Sequence, residues 1–173
     1  MSISIRAAER TDVAALVRLR LANAERHVQL APAIYRFPDV EVVRGHFESV
    51  LSNESNTVIS VAEAAGEVVG MVELVLLAEP PDHQILIPRR AAEIHTVVLD
   101  EHRGQGVGAA LVSAAERVAA ERGVSILYAG IFTPNTDAVR FYSSAGFGPR
   151  GTLLSKEQGA PGENSDAVGR RQG

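Results

Sequence analysis

A chain of 173 residues, 46% apolar and 22% charged, has the length and balance of one globular domain with a full core. A net charge of −4 gives it no general attraction to nucleic acid or to an anionic membrane, and the lack of cysteine excludes disulfides, thiolate catalysis and cysteine-ligated zinc. Met1 to Arg6 lacks the layout of a signal peptide and no apolar run reaches transmembrane length, so the expected compartment is the cytoplasm.

In chain order, Ser2 to Ala7 alternates as a short strand does, and Thr11 or Asp12 then caps a helix to about Asn23 with Val13, Leu16, Val17 and Leu19-Leu21 inward. Arg26 to Asp39 holds Pro32, Pro38, Tyr35 and Phe37 without a clean period and reads as an irregular connection. Asp39 caps a second helix from Val40 to about Leu51. Thr57 to Ala64 and Glu67 to Leu77 are β-rich runs joined by the hairpin signal Ala65-Gly66. Ala78 to Arg90, broken by Pro80, Pro81 and Pro88, is longer than a tight turn and reads as a flexible or partner-facing loop. Its apolar Ile85-Leu86-Ile87 either extends a strand or makes an interface.

Ala91 to Leu99 is the next strand, Ala109 to Arg122 an amphipathic helix closed by Gly123, and Val124 to Phe132 a further strand. Thr136 to Ala145 follows as a short helix closed by Gly146, and Arg150 to Leu154 as a final strand. From residue 156 to 173 the composition is nearly devoid of apolar residues, which cannot repay ordering entropy, so a disordered tail is expected after a single domain over residues 1–155.

Between the Ala91 strand and the Ala109 helix lies Arg103-Gly104-Gln105-Gly106-Val107-Gly108. A helix start has unpartnered N–H groups and partial positive charge, so a loop with little side-chain bulk lets an anion such as a pyrophosphate reach them. Alternating glycines permit positive φ and close approach, and Arg103 adds a full charge at the mouth. The alternative is a tight turn before a helix. A Walker loop needs a Lys that none of these glycines precedes, and a dinucleotide fold needs an acidic residue closing the next strand, which here ends Phe132-Thr133-Pro134.

Arg103, Gly106 and Gly108 match the signature Arg/Gln-x-x-Gly-x-Gly/Ala, and Asn135 is followed seven residues later by Tyr142. In these two signatures, and over about residues 3 to 155 in its order of elements, the chain resembles the GNAT N-acetyltransferase superfamily. The resemblance implies an α/β fold with a mixed central sheet of about six to seven strands and about four helices. It also implies acetyl-CoA as acyl-donor cosubstrate. The donor pyrophosphate would lie on the amides from Arg103 through Gly104, Gln105, Gly106 and Val107 to Gly108. Its pantetheine arm would pair with the backbone of Val97, Val98 and Leu99, and Asn135 would bond that arm or cap the short helix. One N–H, of Val97 or Val98, would steady the oxyanion. The first helix–loop–helix region would cover the acceptor, so His27, Tyr35, Arg36 and Phe37 either line that pocket or anchor the loop. His46, on the second helix, reads as surface.

Acetyl transfer to an amine also needs a base and an acid. An alkyl amine has a pKa of roughly 10 and arrives protonated. By resemblance Glu93 is the first candidate base, against a simple strand-edge carboxylate. His95, two residues on and therefore on the same face, is the second. Relatives that acetylate protein N-termini carry a Glu where this chain has Gly130, which counts against a close match to them. Tyr142 would protonate the leaving thiolate, whose pKa is roughly 8.5 if it behaves like cysteine; otherwise it is a core aromatic. The expected activity is direct transfer of acetyl from acetyl-CoA to a primary amine of a small molecule, without metal. The competing readings are a protein or peptide N-acetyltransferase and a non-catalytic CoA-binding module. A homodimer is implied by resemblance alone.

Overall fold

The computed structural model describes residues 2–52 and 55–158. In order these form β1 (Ile3–Ala7), a 3-10 turn (Arg10–Asp12), α1 (Val13–Leu30), α2 (Val40–Ser52), β2 (Thr57–Ala64) and β3 (Glu67–Leu76). They continue with β4 (Ala91–Val98), a second 3-10 turn (Asp100–His102), α3 (Val107–Glu121), β5 (Ile126–Tyr128) and α4 (Thr136–Ser144). The strands make one sheet in the order β1-β2-β3-β4-β5, antiparallel up to β4 and parallel between β4 and β5. Ala65 and Gly66 both take positive φ, 52° and 83°, as a two-residue hairpin turn matched to strand twist requires.

Alternation along the strands sends apolar side chains to both faces. On one face Val72, Leu74 and Ile94 pack with Leu111, Val112 and Ala115 of α3 and with Tyr142 of α4. On the other, Val61, Met71 and Val97 pack with Leu16 and Leu19 of α1 and Phe47 of α2. The sheet is thus a wall between two helix layers.

The α/β architecture and the four helices match expectation, with three corrections. First, α1 runs to Leu30 rather than Asn23. Ala24, Glu25 and Arg26 are good helix formers, and the helix stops only at Ala31, whose φ of −153° is the extended form favoured before Pro32. Second, the run Val124 to Phe132 pairs as a strand only over Ile126–Tyr128. Third, Arg150 to Leu154 forms no strand: Leu153 and Leu154 are 97% and 86% exposed, and with Pro149 just before the run and Gly151 inside it the apolar stretch is too short to bury a face. The sheet therefore has five strands among the described residues instead of about six to seven. Ile85 to Ile87 extends no strand and is exposed between two prolines. Of the expected tail over 156–173, Lys156 to Gln158 are exposed without regular structure, and 159–173 lie outside the described residues.

β1, β2 and the start of α1 are tied by one buried carboxylate. Asp12 accepts from Arg6 Nη1 at 2.7 Å and Nη2 at 2.9 Å and from the Glu9 amide at 2.8 Å, while Arg6 Nε reaches Glu63 at 3.1 Å. The Arg6 guanidinium holds the Asp12 carboxyl below the usual range against the opposing effect of burial. A folded pKa below the unfolded one gives stability that is present above the unfolded value and lost as pH falls through the folded value. Asp12→Asn should therefore lower unfolding free energy by about 1–3 kcal/mol at pH 7. In urea titrations the gap from the parent protein should narrow below pH about 4.

Candidate active site

Parallel pairing of β4 with β5 ends at Glu93 opposite Tyr128. β4 continues to Val98 while the chain beyond β5 turns away toward α4, and the strands part into a cavity of about 830 Å³. Its floor is the unpaired edge of β4. Thr96 N–H donates across the opening to the Tyr142 hydroxyl at 3.2 Å, whereas Leu99 N–H donates to Val69 O on the β3 side at 3.0 Å. Successive residues of a strand turn their backbone groups to opposite sides. Val98 therefore shares the open side with Thr96, while the backbone groups of Val97 and Leu99 are directed to β3. Of the three residues expected to offer backbone to a ligand, only Val98 does so here.

The glycine loop closes one end of the cavity. Gly104 and Gly106 have φ of 70° and 84°, conformations that side chains rarely adopt. Gly108 serves differently: a Cβ there would lie 2.9 Å from the Phe141 ring, so its small size sets the approach of α3 to α4. Ala110 N–H to Gly106 O, 3.0 Å, opens the α3 ladder, leaving the earlier amides of Val107, Gly108 and Ala109 without intrahelical partners. The Val107 side chain itself belongs to the core. Gln105 Nε2 donates to Glu101 O at 2.8 Å. The Arg103 side chain folds back along the opening, with Nε on Val98 O at 3.0 Å and Nη1 on Asp100 at 3.0 Å.

α4 forms the opposite wall. Asn135 lines the cavity and caps α4 through Ala138 N–H at 3.2 Å. Tyr142 is buried beside Phe141 and Phe147, with ring centroids 4.9 and 5.3 Å away. Burial pushes its phenol up, the bonds from Thr96 oppose that, and the nearby Glu93 charge pushes it up further. Because the hydroxyl oxygen already accepts from Thr96, its proton is free to be donated elsewhere.

Glu93 and His95 share a face as the strand period predicts, with Oε1 and Nε2 3.9 Å apart. The Glu93 carboxylate reaches over the continuation of β5, where a Cβ on Gly130 would stand 2.9 Å from Oε1. Space left by this glycine is thus filled by a carboxylate from the neighbouring strand.

α1 and the loop after it cover the remaining side. His27 bonds Asn23 O through Nδ1 at 2.8 Å and meets Tyr35 edge-on at 4.9 Å, and Tyr35 meets Phe132 at 5.6 Å. His27 and Tyr35 line the cavity; Arg36 and Phe37 do not, and Phe37 is exposed. His46 is half-exposed, but its Nε2 stands 3.9 Å from Glu73 Oε1, so it is not a bare surface residue. Sequence reasoning passed over Arg20, whose Nη2 reaches the buried Glu73 at 2.6 Å, and Arg26, which bridges Asp100 at 3.6 Å and Asp137 at 3.0 Å. The signals were present. Glu73 interrupts an apolar strand, and Arg20 stands one turn after Leu16 on the inward face of α1.

The model of the acetyltransferase (GNAT) family matches residues 19–147. An uncharacterized N-acetyltransferase of Archaeoglobus fulgidus is 33% identical over 111 residues, which span 64% of this chain and 72% of that protein. Among solved structures, a tetramutant of the BH1408 protein from Bacillus halodurans superposes with a TM-score of 0.80 at 20% identity, covering 90% of this chain and 99% of that one. The aminoglycoside N-acetyltransferase AAC(6')-Iy in complex with CoA gives a TM-score of 0.69 at 18% identity, covering 92% and 96%. At these identities the structural matches speak for the fold.

The two glycine roles separate by substitution. Gly106→Ala should cost about 1–2 kcal/mol in urea unfolding through backbone strain alone, since nothing stands within 4 Å of its Cβ. Gly108→Ala should cost a similar amount, about 1–3 kcal/mol. Only Gly108→Ala should also alter the near-ultraviolet dichroism of the Phe141–Tyr142 pair, because its Cβ displaces the Phe141 ring.

Proposed function

Because the chain belongs to the acetyltransferase (GNAT) family, we propose that it transfers the acetyl group of acetyl-CoA to a primary amine of a small molecule, by direct attack in a ternary complex. The observation that carries this reading is convergence. The free α3 amides, the open edge of β4, Tyr142 and His95 line the cavity where β4 and β5 part, and Glu93 stands just behind that lining, 3.9 Å from His95 at the end of the β4–β5 ladder. A small acceptor is favoured by the His27–Tyr35–Phe132 wall, which bounds the cavity on the α1 side. The aminoglycoside N-acetyltransferase AAC(6')-Iy, a structural neighbour, has been solved with a bisubstrate analogue of CoA and an acetylneamine, which is consistent with a small-molecule amine here.

In this mechanism the amides of Val107, Gly108 and Ala109 take the donor pyrophosphate at the positive end of α3, and Arg103 joins them by leaving Val98 O. That movement uncovers the Val98 carbonyl for the pantetheine arm, and the Val98 N–H on the same open edge is placed to steady the oxyanion of the tetrahedral intermediate. Glu93 accepts a proton from the ammonium of the acceptor, directly or through water, with His95 beside it. The amine nitrogen then bonds to the thioester carbonyl carbon, the carbon–sulfur bond breaks, Tyr142 gives its proton to the departing thiolate, and the surplus proton on the new amide nitrogen returns through water to the Tyr142 phenolate. Burial keeps the Tyr142 phenol protonated, so its proton is present when the thiolate departs.

The reading is tested by calorimetric titration with acetyl-CoA, followed by a panel of amines scored for free-thiol release. Binding with release supports it, and a protein that does not bind acetyl-CoA overturns it. Tyr142→Phe should lower kcat by about a hundredfold while leaving acetyl-CoA affinity nearly unchanged; an unaltered rate removes the acid role. Glu93→Gln should lower kcat by a similar factor, about a hundredfold, and remove the acidic limb of the pH–rate profile, because that limb reports loss of the carboxylate base. Gly130→Ala should move kcat in the same direction, since the new Cβ must displace Glu93 Oε1; a normal profile in both variants would transfer the role to His95 or water.

A further inference from the structure

Arg20, Asn23 and His27 follow one another along α1 and all face the cavity. Arg20 is unusual among them because it is held before any ligand arrives. Glu73 takes its Nη2 at 2.6 Å, and its guanidinium carbon stands 5.5 Å from the centroid of the Phe47 ring. A guanidinium has five N–H donors in a fixed fork, so the contact with Glu73 leaves donors unspent, and the side chain stays 30% exposed on the cavity side. Asn23, one turn on, makes no side-chain hydrogen bond among the described residues and is partly exposed.

The acids of the cavity are arranged otherwise. Its lining holds Arg20, Arg26 and Arg103 against Asp100 and Asp137. Asp100 is engaged by Arg26 and Arg103, and Asp137 by Arg26 and Arg140. Glu93 stands apart beside His95, at the place where the reacting amine must lose its proton. A polycationic acceptor would therefore find one carboxylate for its reacting amine and arginine for its other charges.

We infer that the acceptor is an amine that also carries a carboxylate, an amino acid or a close analogue, with the carboxylate held by the free edge of the Arg20 guanidinium and by Asn23. This rests on the acetyltransferase reading and adds the acceptor's second charge to it. Glu73 and Phe47 act here as positioning residues: they fix the fork so that a planar carboxylate meets two parallel N–H donors. The ammonium end of the same molecule then faces Glu93 and His95.

The experiment compares matched pairs at saturating acetyl-CoA by thiol release: phenylalanine with phenethylamine, arginine with agmatine, lysine with cadaverine. The carboxylated member should have the higher kcat/KM by at least about tenfold. Arg20→Lys keeps a charge for Glu73 but loses the fork, and should raise KM for the carboxylated members by about tenfold with little change for their partners. Asn23→Leu, which removes the amide from the cavity wall and adds no charge beside Arg20, should shrink the preference while leaving the Arg20–Glu73 pair in place. Equal or better turnover of the decarboxylated members overturns this inference and leaves acetyl transfer standing. Silence of both series together with absence of acetyl-CoA binding overturns the underlying reading as well, and silence with acetyl-CoA bound overturns the amino-acid acceptor alone.

Discussion

Parallel pairing between β4 and β5 covers three residues on each strand, Ala91 to Glu93 against Ile126 to Tyr128, and the rest of the molecule depends on its stopping there. A longer ladder would use the Thr96 and Val98 backbone groups and leave no cavity. The edge stays open because α4 supplies a substitute for the missing strand at one point only, the Tyr142 hydroxyl on Thr96 N–H. That hydroxyl is held in place because the Tyr142 ring is anchored between Phe141 and Phe147. An open sheet edge is ordinarily a liability for aggregation. Here it is sunk between α1, the glycine loop and α4, where a small extended ligand can pair with it and another chain cannot.

The sheet also divides the chemistry. On the α3–α4 face the groups are backbone amides, a phenol and glycines, suited to a phosphate-bearing, extended donor. On the α1–α2 face they are Glu93, His95, Glu73, Arg20 and His46, suited to a compact charged acceptor. β4 belongs to both, since alternate residues of one strand face opposite layers. Glu93 and His95 therefore look toward the acceptor side while Thr96 and Val98 serve the donor side through their backbones. Gly130 lets the Glu93 carboxylate lean across the gap rather than along its own strand.

Much of this was legible in the residues themselves. The glycine loop, the Asn135–Tyr142 spacing and the shared face of Glu93 and His95 are local features, set by φ preference, helical turn and strand period. The hairpin at Ala65-Gly66 and the cap at Asp39, which accepts from the Glu41 and Val42 amides, are equally local. What was not legible depends on distant partners. Whether Val124 to Phe132 pairs along its length is decided by where β4 and α4 stand, and apolar period alone cannot report it. That Val98, not Val97, faces the opening follows from register with β3, which a single strand does not encode. Arg20 was missed because a lone arginine on an apolar helix face declares itself only when its carboxylate, fifty-three residues away, is known.

The energetic roles of these groups differ in kind. α1 is held by Leu16, Leu19 and their contacts with Phe47 and Met71, where fully burying one such side chain contributes roughly 1.5–3 kcal/mol. The Arg26 bridges to Asp100 and Asp137 are partly exposed, and pairs of that kind contribute roughly 0–1 kcal/mol. The same holds for Arg103 on Asp100. The arginines around the cavity can therefore exchange partners with a ligand while the fold stays in place. Arg20 is the exception, because its partner Glu73 is buried and would be left as an unpaired charge if the guanidinium moved away. Mobile arginines at the donor end and a fixed one at the acceptor end are what a site needs when it must admit a long, flexible donor and orient a short acceptor against it.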